Sequence, residues 1–258
     1  MTKDDTPAIG LSRLKSLTPA RIGLTRTGSS LATREVLAFD LDHARARDAV
    51  HLPFNRSELE EELRSRNISV LQVHSAAAER TIYLQRPDLG RLLDDASRDR
   101  LAAYRAGQDD VFDIALIVAD GLSTRAIHEN AVAFLDAFLP RAAGNGWRHA
   151  PVIIASQARV AIADDIGEVL GARLSIILIG ERPGLSSADS MGIYVTFAPR
   201  KGRTDAEKNC LSNIRSSGLP PDQAARQLEK LIIAAFDQKV TGVELKHEGL
   251  KIGTEVKP

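Results

Sequence analysis

Glu181 and Arg182 form a charge pair at the end of an apolar run, residues 174–179, and a rigid Pro183-Gly184 turn follows them. A carboxylate there can accept hydrogen bonds from ligand amides at the mouth of a crevice. It can equally close a structural ion pair with Arg182. Both readings stand on the residues alone. Cys210 is the only cysteine. A thiolate nucleophile needs a base or an electropositive niche, and nothing in the sequence supplies one. The expected role is therefore that of a small buried apolar residue. Asp164-Asp165 could pair as acid and base, but adjacent helical residues point about 100° apart. The expectation for them is the solvated first turn of a helix. His43, His51, His74, His128, His149 and His247 lack metal-ligand spacing. Nucleophile elbow, phosphate loop and dinucleotide glycine fingerprint are all missing from the sequence.

The elements that must position these residues follow from periodicity. Apolar strands are expected over 114–118, 152–155 and 174–179. Their ends carry Asp120-Gly121, Ser156-Gln157 and Gly180-Glu181, which line one crevice if the strands are neighbours. Ser123 should cap a helix that buries Ile127, Ala131, Phe134 and Phe138 and stops at Gly144-Asn145-Gly146. A helix over 163–170 should close at Gly171. A fourth strand is expected over 193–197. A last helix should start at Pro220-Pro221-Asp222, with Ala224, Leu228, Leu231 and Ala235 in register. This order predicts an α/β fold: a Rossmann-like parallel sheet with helices on both faces.

Upstream, Ser57 and Glu60 form a capping box for a helix through Leu63. Residues 69–73 and 81–84 read as short paired strands. Arg86-Pro87-Asp88-Leu89-Gly90 opens a helix with Leu89, Leu92, Leu93 and Ala96 on one face. Leu11, Leu14 and Leu17 suggest a short helix stopping near Pro19, and residues 31–50 favour a longer one. The expected organisation is a disordered N-terminus over 1–10, an N-terminal helical arm over 11–56, an α/β ligand-binding domain over 57–245 and a flexible tail over 246–258.

Composition narrows the function. Lys+Arg and Asp+Glu both number 34, so no global field steers the chain to nucleic acid or an anionic membrane. Aromatics are 4%, too few for a base-stacking platform. A lone cysteine gives no sign of an oxidising compartment. The sequence lacks a membrane-spanning apolar run and a signal peptide, so a cytoplasmic location is expected.

Several blocks, in order, carry a family resemblance: Arg45-Ala46-Arg47-Asp48-Ala49-Val50-His51, Arg86-Pro87-Asp88-Leu89-Gly90, and Asp120-Gly121-Leu122-Ser123-Thr124 with Asn130. They continue with Arg159-Val160-Ala161-Ile162 leading to Gly167-Glu168, then Ile179-Gly180-Glu181-Arg182-Pro183-Gly184-Leu185-Ser186, and Asn209-Cys210-Leu211-Ser212-Asn213-Ile214. Together, from about residue 11 to 246, they resemble the small subunit of adenosylcobalamin-dependent ethanolamine ammonia-lyase. The resemblance implies a large-subunit partner in a hetero-oligomer, with base-on adenosylcobalamin shared between the two. It implies radical deamination of ethanolamine to acetaldehyde and ammonia, with the substrate in the large subunit. It assigns cofactor contacts to Val160, Glu181 and Cys210, and no catalytic or metal-ligating residue to this chain. It also raises enclosure in a bacterial microcompartment. The phosphodiester of the cofactor tail would suit backbone N–H groups opening the helix after Val160. Many relatives have glycines where Ser156 and Ala158 stand, and alanine does not readily adopt positive φ, which alters the path of that loop. The competing readings are a free-standing α/β nucleotide-binding enzyme and a scaffold subunit without ligand contact.

Overall fold

The computed structural model describes residues 11–18 and 20–246. The expectations for residues 1–10, for Pro19 as a helix stop and for the tail beyond residue 246 lie outside the described residues. Helix α1 (Leu11–Leu17) leads to a small hairpin, β1 (Arg26–Thr27) and β2 (Ser30–Leu31), and then to α2 (Thr33–His51). The chain continues through α3 (Arg56–Ser65), β3 (Val70–His74), α4 (Arg80–Gln85) and α5 (Asp95–Ala106). Next come β4 (Ile114–Ala119), α6 (Thr124–Gly144), β5 (Val152–Ser156), α7 (Ile162–Leu170) and β6 (Leu174–Gly180). β7 (Met191–Phe197), β8 (Asn209–Ile214) and α8 (Pro221–Gln238) complete the described elements.

Six strands form one mixed sheet in the order β3-β5-β4-β6-β7-β8. β3, β5, β4 and β6 run parallel, β7 pairs antiparallel with β6, and β8 pairs antiparallel with β7 and so points with the first four. The fourth predicted strand therefore joins the sheet in the opposite sense to the one expected. Only residues 181–190 separate β6 from β7. A parallel crossover needs a dozen or more residues, so this connection can only fold back. β8 escaped sequence reading because Asn209, Ser212 and Asn213 make it polar, as suits an edge strand.

The two faces of β4 show period two. Ile114, Leu116 and Val118 pack with α3, α6 and α8, and Ala115, Ile117 and Ala119 pack with α5 and α7. Each fully buried isoleucine or leucine there contributes roughly 1.5–3 kcal/mol. The predicted apolar faces of α6 and α8 are buried: Ile127, Ala131, Phe134 and Phe138 on one, Ala224, Leu228, Leu231 and Ala235 on the other.

Three upstream expectations change. Residues 81–84 lie in helix α4, and β3 pairs with β5 instead, Val70 opposite Val152. One helical turn puts Arg80 over the Tyr83 ring, 4.6 Å to its centroid, which a strand would not. Asn55, not Ser57, caps α3 by accepting from the Glu58 N–H. The helix expected from Arg86 is a 3₁₀ turn, Leu89–Arg91, and α5 starts afresh under an Asp94 cap. Between them the chain is extended, because Leu92 C=O accepts from Ala76 N and Leu93 N donates to Asp165.

Candidate functional site

The carboxyl ends of β4, β5 and β6 are adjacent in the sheet, as the predicted crevice requires. Asp120 stitches two of them. Its carboxylate accepts from Gly121 N at 2.9 Å, Gln157 N at 2.9 Å and Ala158 N at 3.0 Å. Burial pushes its carboxyl up, while these N–H groups and Arg80 pull it down. The clamp holds Gln157 at φ 53°, and Ala158 is a fully buried core residue. The left-handed turn of this loop thus falls on Gln157, not on Ala158. β4 and β6 meet through glycine: a Cβ on Gly121 would lie 2.2 Å from Gly180 O, and one on Gly180 would lie 2.0 Å from Ser123 O.

The loop over residues 181–190 is fastened from beneath. Ser123 Oγ donates to Ala188 O at 2.6 Å, Asn130 Nδ2 donates to Asp189 O at 3.0 Å, and Arg215 Nη1 donates to Ser186 O at 2.9 Å. Glu181 stands at its start. One carboxylate oxygen accepts from Ser190 Oγ and from Asn213 N. The other lies over Gly192, where a Cβ would approach it to 2.9 Å, and accepts no hydrogen bond among the described residues. Arg182 is exposed and forms no ion pair among the described residues, so the structural pairing with Glu181 is not made.

Cys210 pairs across the sheet with Tyr194, which pairs with Ile177 of β6. It is exposed on the edge strand, not buried as expected. Partial burial pushes its thiol up, the neighbouring Tyr194 pulls it down, and the Glu181 charge pushes it up again. A raised thiol disfavours the thiolate, which argues against a nucleophile. Tyr194 is itself raised by burial and by its contact with Cys210. Glu181, Tyr194 and Cys210 are thus neighbours.

Val160 lies in the turn before α7 and packs against the same core cluster as Tyr194. A buried pair straps its helix to β7 and to the residue before β8: Lys208 Nζ donates to Asp164 and, at 3.3 Å, to Thr196 Oγ1. Asp165 is buried too, bound to Arg98 and Leu93 N. The predicted solvated start of α7 is therefore wrong, since sequence cannot show that basic residues from α5 and from beside β8 converge there. Burial raises the Asp164 carboxyl and Lys208 lowers it. Asp164 Oδ1 remains a buried acceptor without a partner among the described residues. The N–H groups of Ile162, Ala163 and Asp164 bond back to Arg159, Val160 and Ala161 carbonyls, so they do not form the open anion seat expected for a phosphodiester. Sequence reasoning missed Tyr194 and Ser190 as neighbours of Glu181, and Lys208 as the buried partner of Asp164. Only cross-strand register reveals them.

A family model described as ethanolamine ammonia-lyase light chain (EutC) matches residues 9–246. The ethanolamine ammonia-lyase small subunit of Pseudomonas paraeruginosa is 53% identical over 235 residues, covering 91% of this chain and 86% of that one. The Azotobacter vinelandii small subunit is 52% identical over 236 residues, covering 92% and 87%. The Xanthomonas campestris pv. campestris small subunit is 50% identical over 247 residues, covering 96% and 91%.

Proposed function

Because this chain belongs to the ethanolamine ammonia-lyase light-chain family, we propose that it is the small subunit of that lyase and acts with a large subunit. In this reading the four parallel strands are a Rossmann-like unit. Its carboxyl-end surface, from Val160 across Glu181 to Cys210, forms one wall of an adenosylcobalamin site that the large subunit closes. When bound, the cofactor supplies the radical chemistry that deaminates ethanolamine. This chain binds and orients.

The observation that carries the reading is the unoccupied oxygen of Glu181 above Gly192. Corrin edges bear primary amides, whose N–H groups need acceptors. Glu181 offers one: Gly192 has no side chain and so leaves room for this carboxylate oxygen, and Glu181 itself is only partly buried. Val160 and the Cys210–Tyr194 pair give the apolar surface. The residues present fit the group. Among the described residues, no group of three or more His, Cys, Asp and Glu could hold a metal ion. Partners are the large subunit and no nucleic acid. We place it in the cytoplasm, free or enclosed in a bacterial microcompartment. No described helix is long and apolar enough to cross a membrane.

The test is co-purification with the large subunit followed by cobalamin binding. The complex should deaminate ethanolamine with added adenosylcobalamin, and this chain alone should not. Glu181→Ala in the complex should weaken equilibrium cobalamin binding by about 1–3 kcal/mol, roughly 5- to 150-fold. Wild-type affinity in that variant, or acetaldehyde formation by the isolated chain, contradicts the proposal.

A further inference from the structure

A cavity of about 300 Å³ opens at the carboxyl ends of β3, β5 and β4, and none of Val160, Glu181 and Cys210 lines it. Arg56, His74, Arg80, Thr124, Ser156 and Gln157 do, together with Asp120. Two of these carry donors that the fold leaves unused. Ser156 is 5% exposed, and its Oγ has no partner among the described residues. Arg80 is anchored, with Nε donating to Val50 O and Nη1 to Gly121 O, both at 2.8 Å. Its Nη2 is buried and unpartnered among the described residues. Buried donors without acceptors are costly, so two of them at one cavity mark a missing acceptor.

Charge points the same way. Arg56 and Arg80 share a single carboxylate, Asp120, which lies 3.5 Å from Arg80 Nη1 and also accepts from three backbone N–H groups, so the two guanidiniums outnumber the carboxylates of the lining. Thr124 and Arg56 are the first residues of α6 and α3, so two helix amino ends bring partial positive charge to the rim. Gln157 is held at φ 53° in the wall, and such strain collects at ligand sites. Donors converge from α3, α4 and β5. A tetrahedral anion offers acceptors in several directions at once, whereas a planar carboxylate does not.

We propose that this cavity binds a small oxyanion of the phosphate class. The test uses the full chain, free of cobalamin, so its outcome is independent of the cofactor reading. Inorganic phosphate is titrated by calorimetry and thermal melting, against chloride at matched ionic strength. Phosphate should bind saturably and raise Tm beyond the chloride control. Ser156→Ala removes an unpartnered hydroxyl and Arg56→Ala a half-buried guanidinium; each should weaken phosphate about tenfold. A response no different from chloride, or unchanged phosphate affinity in both variants, overturns the proposal.

Discussion

Glu181 and Cys210 show how far a residue type defines its own role. Both were legible as candidates, Glu181 because charge follows an apolar strand and Cys210 because it is alone. The choice between their alternatives was not legible. Glu181 avoids Arg182 because Ser190 and Asn213, brought by β7 and β8, claim one oxygen. Cys210 sits in the open because β8 is an edge. Its sulfur faces Tyr194, and its thiol is raised, so we assign it packing beside the ligand. Cys210→Ser should keep most activity of the assembled enzyme, since serine is nearly isosteric and its hydroxyl costs little at an exposed site. Cys210→Trp should abolish cobalamin binding by filling ligand space. A well-folded serine variant that binds cobalamin but does not turn over would show that the thiol does chemistry.

Among the elements, α7 and α3 carry polar junctions, α7 to the sheet through Lys208 and Thr196 and α3 to α6 through His128. Lys208 and Asp164 are 2% and 3% exposed as side chains, and neither has another charged neighbour as close. Lys208→Met should cost about 3–5 kcal/mol of stability, because it strands a buried carboxylate. Urea denaturation measures this, and Lys208→Met with Asp164→Leu should recover most of the loss. A small effect of the single change would mean that Asp164 reaches solvent. At α3, Asn55 N donates to His128 Nε2 at 3.4 Å, and the His128 ring lies 5.7 Å from Phe54. Burial lowers the His128 pKa below its ordinary 6.5, against the pull of Glu58 and Glu62. The unfolded chain therefore takes up this proton at higher pH than the fold does. Stability from this group is complete above about 6.5 and falls as pH drops through that value toward the folded pKa. His128→Gln should flatten that part of the pH–stability profile. An unchanged slope between pH 7 and pH 5 would place the titration elsewhere.

At the scale of the whole molecule, α2 is an element with several large apolar side chains left uncovered among the described residues. Its second half docks, with Ala46 and Ala49 buried and Val50 O bound to Arg80. Its first half exposes Val36 at 41%, Leu37 at 62%, Phe39 at 43% and Leu41 at 52%. Leu37 and Leu41 lie one turn apart on the same side. We assign this half to the large-subunit contact. Leu37→Glu with Leu41→Glu should weaken association in gel filtration while leaving circular dichroism unchanged; assembly at wild-type affinity would make α2 only a flank of its own domain. The sequence by itself determined the strand–helix alternation, the buried faces of α6 and α8 and the strand ends at Asp120, Ser156 and Gly180, because periodicity and turn chemistry are local. Strand direction beyond β6, the helix at Tyr83, the burial of Asp164 and Asp165, and the cavity at Ser156 were decided only by tertiary structure. Each depends on groups far apart in the chain, such as Lys208 meeting Asp164 or Arg80 meeting Asp120, and no local pattern encodes which distant partner arrives.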